Sequence, residues 1–164
     1  MIRRLTVLVA ATLLALILAA PAALAGGATQ ISGVAFFDVA DTCDSASVGA
    51  DYALLMTEET TEGLDGCLYT FVDDDPRKSP SGTYLETGTE LFVASDGSGT
   101  FETTYRFEAK YEDVANLSGE IFGRCQHPIV KGSGTGVFEG VSGILLFKDD
   151  VETGEFFYRG HLRY

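Results

Sequence analysis

The stretch FETTYRFEAKY, residues 101–111, alternates its side chains between two faces without interruption. Its odd-numbered positions share one face of an extended strand and are mostly apolar: Phe101, Thr103, Tyr105, Phe107, Ala109 and Tyr111. Its even-numbered positions share the other face and are all polar: Glu102, Thr104, Arg106, Glu108 and Lys110. Such a strand packs one face on a core and exposes the other to water, so the stretch predicts an antiparallel sheet.

The sequence on both sides of this stretch predicts further short strands separated by turns rich in Gly, Asp, Ser and Pro. These strands are Gln30–Val39, Tyr52–Thr57, Cys67–Asp73, Thr83–Val93, Glu120–Cys125, Gly136–Phe138, Gly143–Asp149 and Phe156–Tyr164. No segment carries apolar residues at helical spacing over three turns. We predict an all-β domain over residues 26–164, a single antiparallel barrel of about eight strands, because closure leaves no exposed edges. The charged segment Asp73–Ser81 is predicted as an exposed loop.

Residues 1–25 have the features of a cleavable signal peptide. Arg3 and Arg4 precede an uncharged apolar run, and Ala23-Leu24-Ala25 has the small-x-small pattern of a cleavage site. The apolar run is shorter than the roughly 20 residues that span a bilayer. We therefore expect cleavage after Ala25, secretion, and no membrane segment in the mature protein.

The charge balance limits the classes of partner. The chain has 11 Lys and Arg residues against 24 Asp and Glu residues, and cleavage would remove Arg3 and Arg4 but no acid. Nucleic acids and anionic membranes bind basic surfaces, so neither is an expected partner.

Three cysteines, Cys43, Cys67 and Cys125, lie in the part expected to be exported, where one bridge and one free thiol are favoured. Three pairings are open. We predict the Cys43–Cys67 disulfide, with Cys125 buried and reduced, because Cys125 lies in the middle of a strand pattern. No C-x-x-C motif occurs and the two histidines lie far apart, so no metal site is predicted. No cofactor is expected either.

The segment 132–143 reads G-x-G-T-G-x-F-x-G-x-x-G. Together with Gly-Cys-Leu-Tyr at 66–69, Gly-Arg-Cys-Gln-His-Pro at 123–128 and Tyr-Arg-Gly-His at 158–161, it resembles a bacterial secreted branch of the allene oxide cyclase-like and dirigent-like β-barrels. The resemblance implies the barrel fold. The plant cyclases of this group isomerise an unstable epoxide and dirigent proteins steer radical coupling, but no catalytic residue of either aligns with this chain.

His127 is the first candidate for catalysis. It shares strand parity with Cys125, and with Ile121 if no bulge intervenes, so we expect its ring to face the interior. A buried imidazole can serve as a general acid or base. The alternative, which we favour from the sequence, is a structural histidine bonded to a backbone carbonyl.

Glu86 and Glu90 are the other two catalytic candidates. They lie four residues apart on one strand and would form an interior acid pair if that face lined the barrel. The opposite face of the same strand carries its aliphatic residues: Leu85, Leu91 and Val93. We therefore favour a solvated acidic face for Glu86 and Glu90.

Tyr105, Arg159 and His161 are the candidates for ligand binding. Tyr105 lies on the apolar face of the 101–111 stretch. Arg159 and His161 share a face of the last strand, which is either an outer polar face, the interpretation we favour, or an anion-binding stripe at a pocket mouth.

Two classes of function remain open. The chain has seven Tyr and eleven Phe and no recognisable catalytic motif. These features favour a non-catalytic binding or structural module for a small apolar or aromatic ligand. The alternative is a cofactor-free isomerase or cyclase, since positioning alone can catalyse reactions of strained substrates.

Overall fold

A computed structural model describes residues 27–58, 63–73 and 75–164. The predicted signal peptide lies outside these residues. The described strands are β1 (Thr29–Phe37), β2 (Tyr52–Glu58), β3 (Gly66–Val72), β4 (Arg77–Lys78), β5 (Thr83–Ala94), β6 (Thr100–Asp113), β7 (Ser118–Pro128), β8 (Ser142–Asp150) and β9 (Glu155–Arg163). A four-residue helix, α1 (Ser45–Val48), follows β1, and a 3₁₀ turn (Gly136–Phe138) precedes β8.

Eight of these strands form a closed antiparallel barrel. Their order is β3-β2-β1-β9-β8-β7-β6-β5, and pairing between β3 and β5 closes the ring. The short β4 pairs with β5 outside the ring, where Arg77 lies opposite Leu85. The prediction of an all-β fold with one barrel of about eight strands is confirmed. Closure gives every barrel strand a hydrogen-bonded neighbour on both sides.

Two of the local predictions are wrong. Gly136–Phe138 is a 3₁₀ turn and not a strand, because Gly136 has a φ of 58° and the Phe138 N–H donates to the Thr135 carbonyl. The predicted loop Asp73–Ser81 contains β4, which extends the pairing of β5 past the end of β3.

The barrel has two chemically different ends. We call the first the Phe138 end, where β5 leads into β6, and the second the Asp149 end, where β8 leads into β9. At the Phe138 end, the Phe138 ring packs on Phe92 and Phe101 at centroid distances of 5.7 and 5.1 Å. The glycine-rich segment makes this approach possible, since a Cβ on Gly136 would lie 2.0 Å from the Ser98 carbonyl oxygen.

A disulfide joins Cys43, in the loop after β1, to Cys67 on β3, and Cys125 is free and buried. The predicted pairing is confirmed, and such a bridge suits an oxidising compartment. None of the helices within the described residues has the length and apolarity needed to cross a membrane.

Candidate functional site

The inner face of β5 brings carboxylates into the barrel. Tyr84, Glu86 and Glu90 point inward, and Glu90 is only 3% exposed. The preferred interpretation of a solvated acidic face is therefore wrong. The aliphatic residues of β5 lie on the outer surface instead, where Leu91 pairs with Tyr69 and Val93 with Cys67 of β3. Apolar side chains can pack across neighbouring strands on the outside of a barrel as well as inside it.

Glu90 and His127 form a buried hydrogen-bonded pair in the barrel interior. The His127 Nδ1 lies 2.6 Å from Glu90 Oε2, and the two side chains are 3% and 2% exposed. The hydroxyl of Thr103 donates to the same carboxylate oxygen at 2.5 Å, and Thr70 donates to Oε1 at 3.4 Å. A carboxylate that binds one ring nitrogen fixes the orientation of the imidazole and sets the role of the other nitrogen.

The second ring nitrogen of His127, Nε2, is buried and has no hydrogen-bond partner among the described residues. The ring lies between Phe147, at a centroid distance of 4.4 Å, and Tyr105, at 6.1 Å. His127 faces inward as predicted, but the parity with Ile121 does not hold. A bulge opposite Lys110 and Tyr111 turns Glu120 inward and exposes Ile121.

A cavity of about 300 Å³ lies between this pair and the Asp149 end of the barrel, where it opens. Most of its wall is aromatic: Phe37, Tyr52, Tyr84, Tyr105, Phe107, Tyr111, Phe147 and Phe156. Leu54, Leu117 and Cys125 complete the apolar part of the wall. This volume is at the lower end of the range for small-molecule sites, and the mixture of apolar wall and few polar groups is typical of them.

Glu86 lies nearer than Glu90 to the Asp149 end of the cavity, and its carboxylate accepts hydrogen bonds from two tyrosines. Tyr105 donates its hydroxyl to Glu86 Oε1 at 2.8 Å, and the Tyr84 hydroxyl donates to Oε2. Burial raises the pKa of both tyrosines above the ordinary value, and the neighbouring Glu86 raises it further. Both phenols therefore stay protonated at neutral pH and act as donors to Glu86.

A carboxyl pair stands at the rim of the cavity. A Cβ on Gly123 would lie 2.0 Å from Asp149 Oδ2 and 2.6 Å from Glu120 Oε1, so the two carboxyl groups meet over this glycine. Burial, with a hydrogen bond to Glu120 and its charge, raises the pKa of Asp149 to about 7. Glu120 Oε1 is buried without a hydrogen-bond partner in the part of the chain that the structure describes, and a proton on Asp149 would supply the donor that two carboxylates lack.

Replacement of Asp149 by asparagine is expected to stabilise the protein at high pH. The pKa of Asp149 is raised from 3.8 to about 7, so folding favours its protonated form, and wild-type stability falls as the pH rises through that window. Water at the rim screens part of this effect. Asp149→Asn should therefore raise the free energy of unfolding by about 2 kcal/mol at pH 8 and leave it almost unchanged near pH 4. Urea unfolding across this pH range measures the difference.

Glu102→Gln is the matched control, because Glu102 is an exposed carboxylate on the outer face of β6. The difference in free energy of unfolding between Glu102→Gln and wild type should not vary between pH 4 and pH 8. If Asp149→Asn differs from wild type in its free energy of unfolding by the same amount at pH 4 and pH 8, the raised pKa of Asp149 does not contribute to stability.

No family model matches this chain. No curated protein and no solved structure matches it either.

The structure separates the candidate ligand-binding residues. Tyr105 lines the cavity. Arg159 and His161 lie on the outer face of β9, where their backbone partners are Leu146 and Ile144 of β8, and they take no part in the cavity wall. The favoured interpretation as an outer face is confirmed, because the inward positions of β9 belong to its apolar set. Neither residue belongs to the cavity that Tyr105 lines, and their assignment as ligand-binding residues stays a prediction.

Sequence reasoning missed the rim carboxyl pair and most of the aromatic wall. Asp149 was visible as an inward position of a predicted strand, but Glu120 turns inward only because of the bulge in β7. On β5, the signal for an inner face was Gly88, midway between Glu86 and Glu90. A Cβ at this glycine would lie 2.5 Å from the Tyr105 ring, as expected where backbone and side chain approach closely.

The cavity residues are not a metal site of the usual kind. In the described part of the chain, no three His, Cys, Asp or Glu side chains converge in a way that could hold a metal ion. The Cys125 thiol has a raised pKa because of burial and the charge of Glu90, so it remains a neutral thiol.

Proposed function

We propose that this protein is a binding module that holds a small, largely apolar ligand in the cavity at the Asp149 end. The observation that carries the proposal is the buried His127 Nε2, which has no partner among the described residues although it belongs to a side chain that lines the cavity. A buried polar atom without a partner costs free energy, and a ligand that binds it recovers that cost.

The ring chemistry of His127 defines what the ligand must offer. When Nδ1 donates to Glu90, Nε2 of the neutral imidazole is an acceptor. A ligand with an apolar body and one N–H or O–H group therefore suits both the aromatic wall and the imidazole.

Indole is a suitable first probe. It is a neutral aromatic molecule with one N–H donor, and its fluorescence is readable because the chain contains no Trp. We expect saturable binding with a blue-shifted emission. His127→Gln keeps an amide donor for Glu90 but removes the imidazole nitrogen that accepts from the ligand. It should therefore weaken indole binding about fivefold.

His161→Gln is the matched control, since His161 is on the outer face, and it should leave indole affinity unchanged. Cys125→Leu narrows the cavity and should abolish binding while thermal unfolding shows that the variant is folded. Equal indole affinity in wild type, His127→Gln and Cys125→Leu would contradict the proposal.

The site of action and the family are part of the same proposal. The signal-peptide features of residues 1–25 and the Cys43–Cys67 disulfide support a role outside the cell. The glycine pattern of segment 132–143 supports membership of the allene oxide cyclase-like group, in which small-molecule chemistry takes place in a barrel.

A second candidate function, a cofactor-free isomerase or cyclase, is favoured by one observation. Glu90 binds Nδ1 of His127 in a site shielded from water, which is the arrangement that orients an imidazole base. In such a reaction Nε2 would take a proton from the bound substrate and return it at another atom.

Hydrogen exchange of 2-indanone in D₂O tests this second function. Its ring-flanking C–H groups are acidic, and an enzyme base that removes one proton and returns a deuteron increases the exchange rate that NMR measures. The protein should accelerate exchange, and His127→Gln should reduce the acceleration by a factor of about 100. Acceleration that survives in His127→Gln would exclude His127 as the base.

A further inference from the structure

We propose that the ligand of this cavity is an organic cation, a protonated amine carried on a small aromatic body. This inference rests on the proposed binding function and specifies the chemistry of its ligand. Three observations support it: most hydroxyl donors of the cavity already bind carboxylates of the protein, the wall is aromatic, and the charges that line it are negative.

The hydroxyl donors of the cavity wall are largely used by carboxylates of the protein. Tyr84 and Tyr105 both donate to Glu86, and the Tyr111 hydroxyl lies 3.4 Å from Glu120 Oε2. Acceptor capacity remains at His127 Nε2, which has no partner among the described residues, and at the other lone pairs of the Glu86 carboxylate. The ligand must therefore bring donors, and an ammonium group brings several and no acceptor.

The aromatic wall suits a positive charge. Tyr52, Tyr105 and Phe147 lie beside the acidic side chains, and Phe37 and Phe156 pack edge to face at the mouth with a centroid distance of 5.0 Å. The faces of aromatic rings attract cations, and rings combined with carboxylates form the usual recognition site for ammonium groups.

The charges of the cavity wall have one sign. Glu86 and Glu90 line it, and no Lys or Arg is among the described residues of this wall. The negative field acts on neighbouring groups: the charges of Glu86 and Glu90 add to burial in raising the pKa of Tyr52. An anionic ligand would enter this field without a counter-charge, whereas a cation is attracted to it.

Three fluorescent probes with the same indole ring distinguish a cationic, a neutral and an anionic ligand. At pH 7.5 tryptamine is a cation, tryptophol is a neutral alcohol and indole-3-propionate is an anion. Titration at constant ionic strength should give tryptamine an affinity about tenfold higher than that of tryptophol. Indole-3-propionate should not bind measurably.

Glu86→Gln tests the role of the charge with little change of shape, because the amide oxygen still accepts from one tyrosine while the amide NH2 can donate to the hydroxyl oxygen of the other. It should lower tryptamine affinity about tenfold and leave tryptophol affinity within about twofold. The exposed-acid control Glu102→Gln should change neither. Thermal unfolding of both variants confirms that the fold is intact.

The outcomes separate this inference from the binding function on which it rests. Equal affinities for tryptamine and tryptophol, tightest binding of indole-3-propionate, or an equal effect of Glu86→Gln on both probes would overturn the cation proposal and leave the binding function standing. Failure of all three probes and of indole to bind would contradict both.

Discussion

Replacement of Glu90 by alanine is expected to lower the free energy of unfolding by about 3–5 kcal/mol, because it breaks a buried pair from one side. His127 Nδ1 and the hydroxyls of Thr103 and Thr70 would all lose their acceptor in the barrel interior. Each buried donor left without a partner adds its own desolvation cost. Urea unfolding at pH 7 measures the loss.

The matched control for this change is Glu102→Ala on β6. Glu102 is exposed, so its replacement should change the stability by no more than about 0.5 kcal/mol. Glu90→Gln keeps an oxygen acceptor for Thr103 and should fall between the two. A Glu90→Ala variant as stable as Glu102→Ala would mean that the Glu90–His127 pair contributes nothing to the folded state.

Replacement of Phe138 by alanine is the second large effect, with an expected loss of about 3–5 kcal/mol. Phe138 is 8% exposed and packs edge to face on both Phe92 and Phe101, which stack on each other at 4.9 Å. Deletion of the ring leaves a cavity among rigid strands that cannot collapse to fill it.

Val137→Ala provides a control at the adjacent position, since Val137 is 59% exposed. It should cost less than about 0.5 kcal/mol. Indole binding to Phe138→Ala, measured where the variant remains folded, should match wild type, because the cavity that we propose as the ligand site lies at the Asp149 end. Equal stability of the two variants would show that the glycine-rich segment does not hold Phe138 in the core.

These two expectations reflect a chemical difference between the two ends of the barrel: an aromatic cluster at the Phe138 end and interior carboxylates toward the Asp149 end. Aromatic packing at the Phe138 end contributes favourable burial. The interior carboxylates at the other end cost desolvation that their hydrogen bonds only partly offset. Concentration of ionisable groups in a concave site of this kind is typical of functional sites, which is why we place the ligand there.

Much of the fold could be predicted from local pattern. The alternation of residues 101–111 is reproduced by β6, whose inward positions include Phe101, Thr103 and Tyr105. A period-two pattern with one polar face leaves a single way to bury the apolar face, so the orientation of such a strand is decided by its own residues. The same argument placed Cys125 and His127 inside, and it favoured the pairing of Cys43 with Cys67 among three open pairings.

The candidate site depended on information that no single strand contains. On β5 both faces carry apolar side chains, and its orientation is decided by pairing with β3 and β6, which places Glu90 beside Thr70 and Thr103. Glu120 reaches Asp149 through a bulge whose position depends on the register of β6 and β7. Sequence therefore determined the barrel and the inward histidine, whereas the closed ring of strands decided which acids share its interior, because desolvation and pairing of charges depend on neighbours that are distant in the chain.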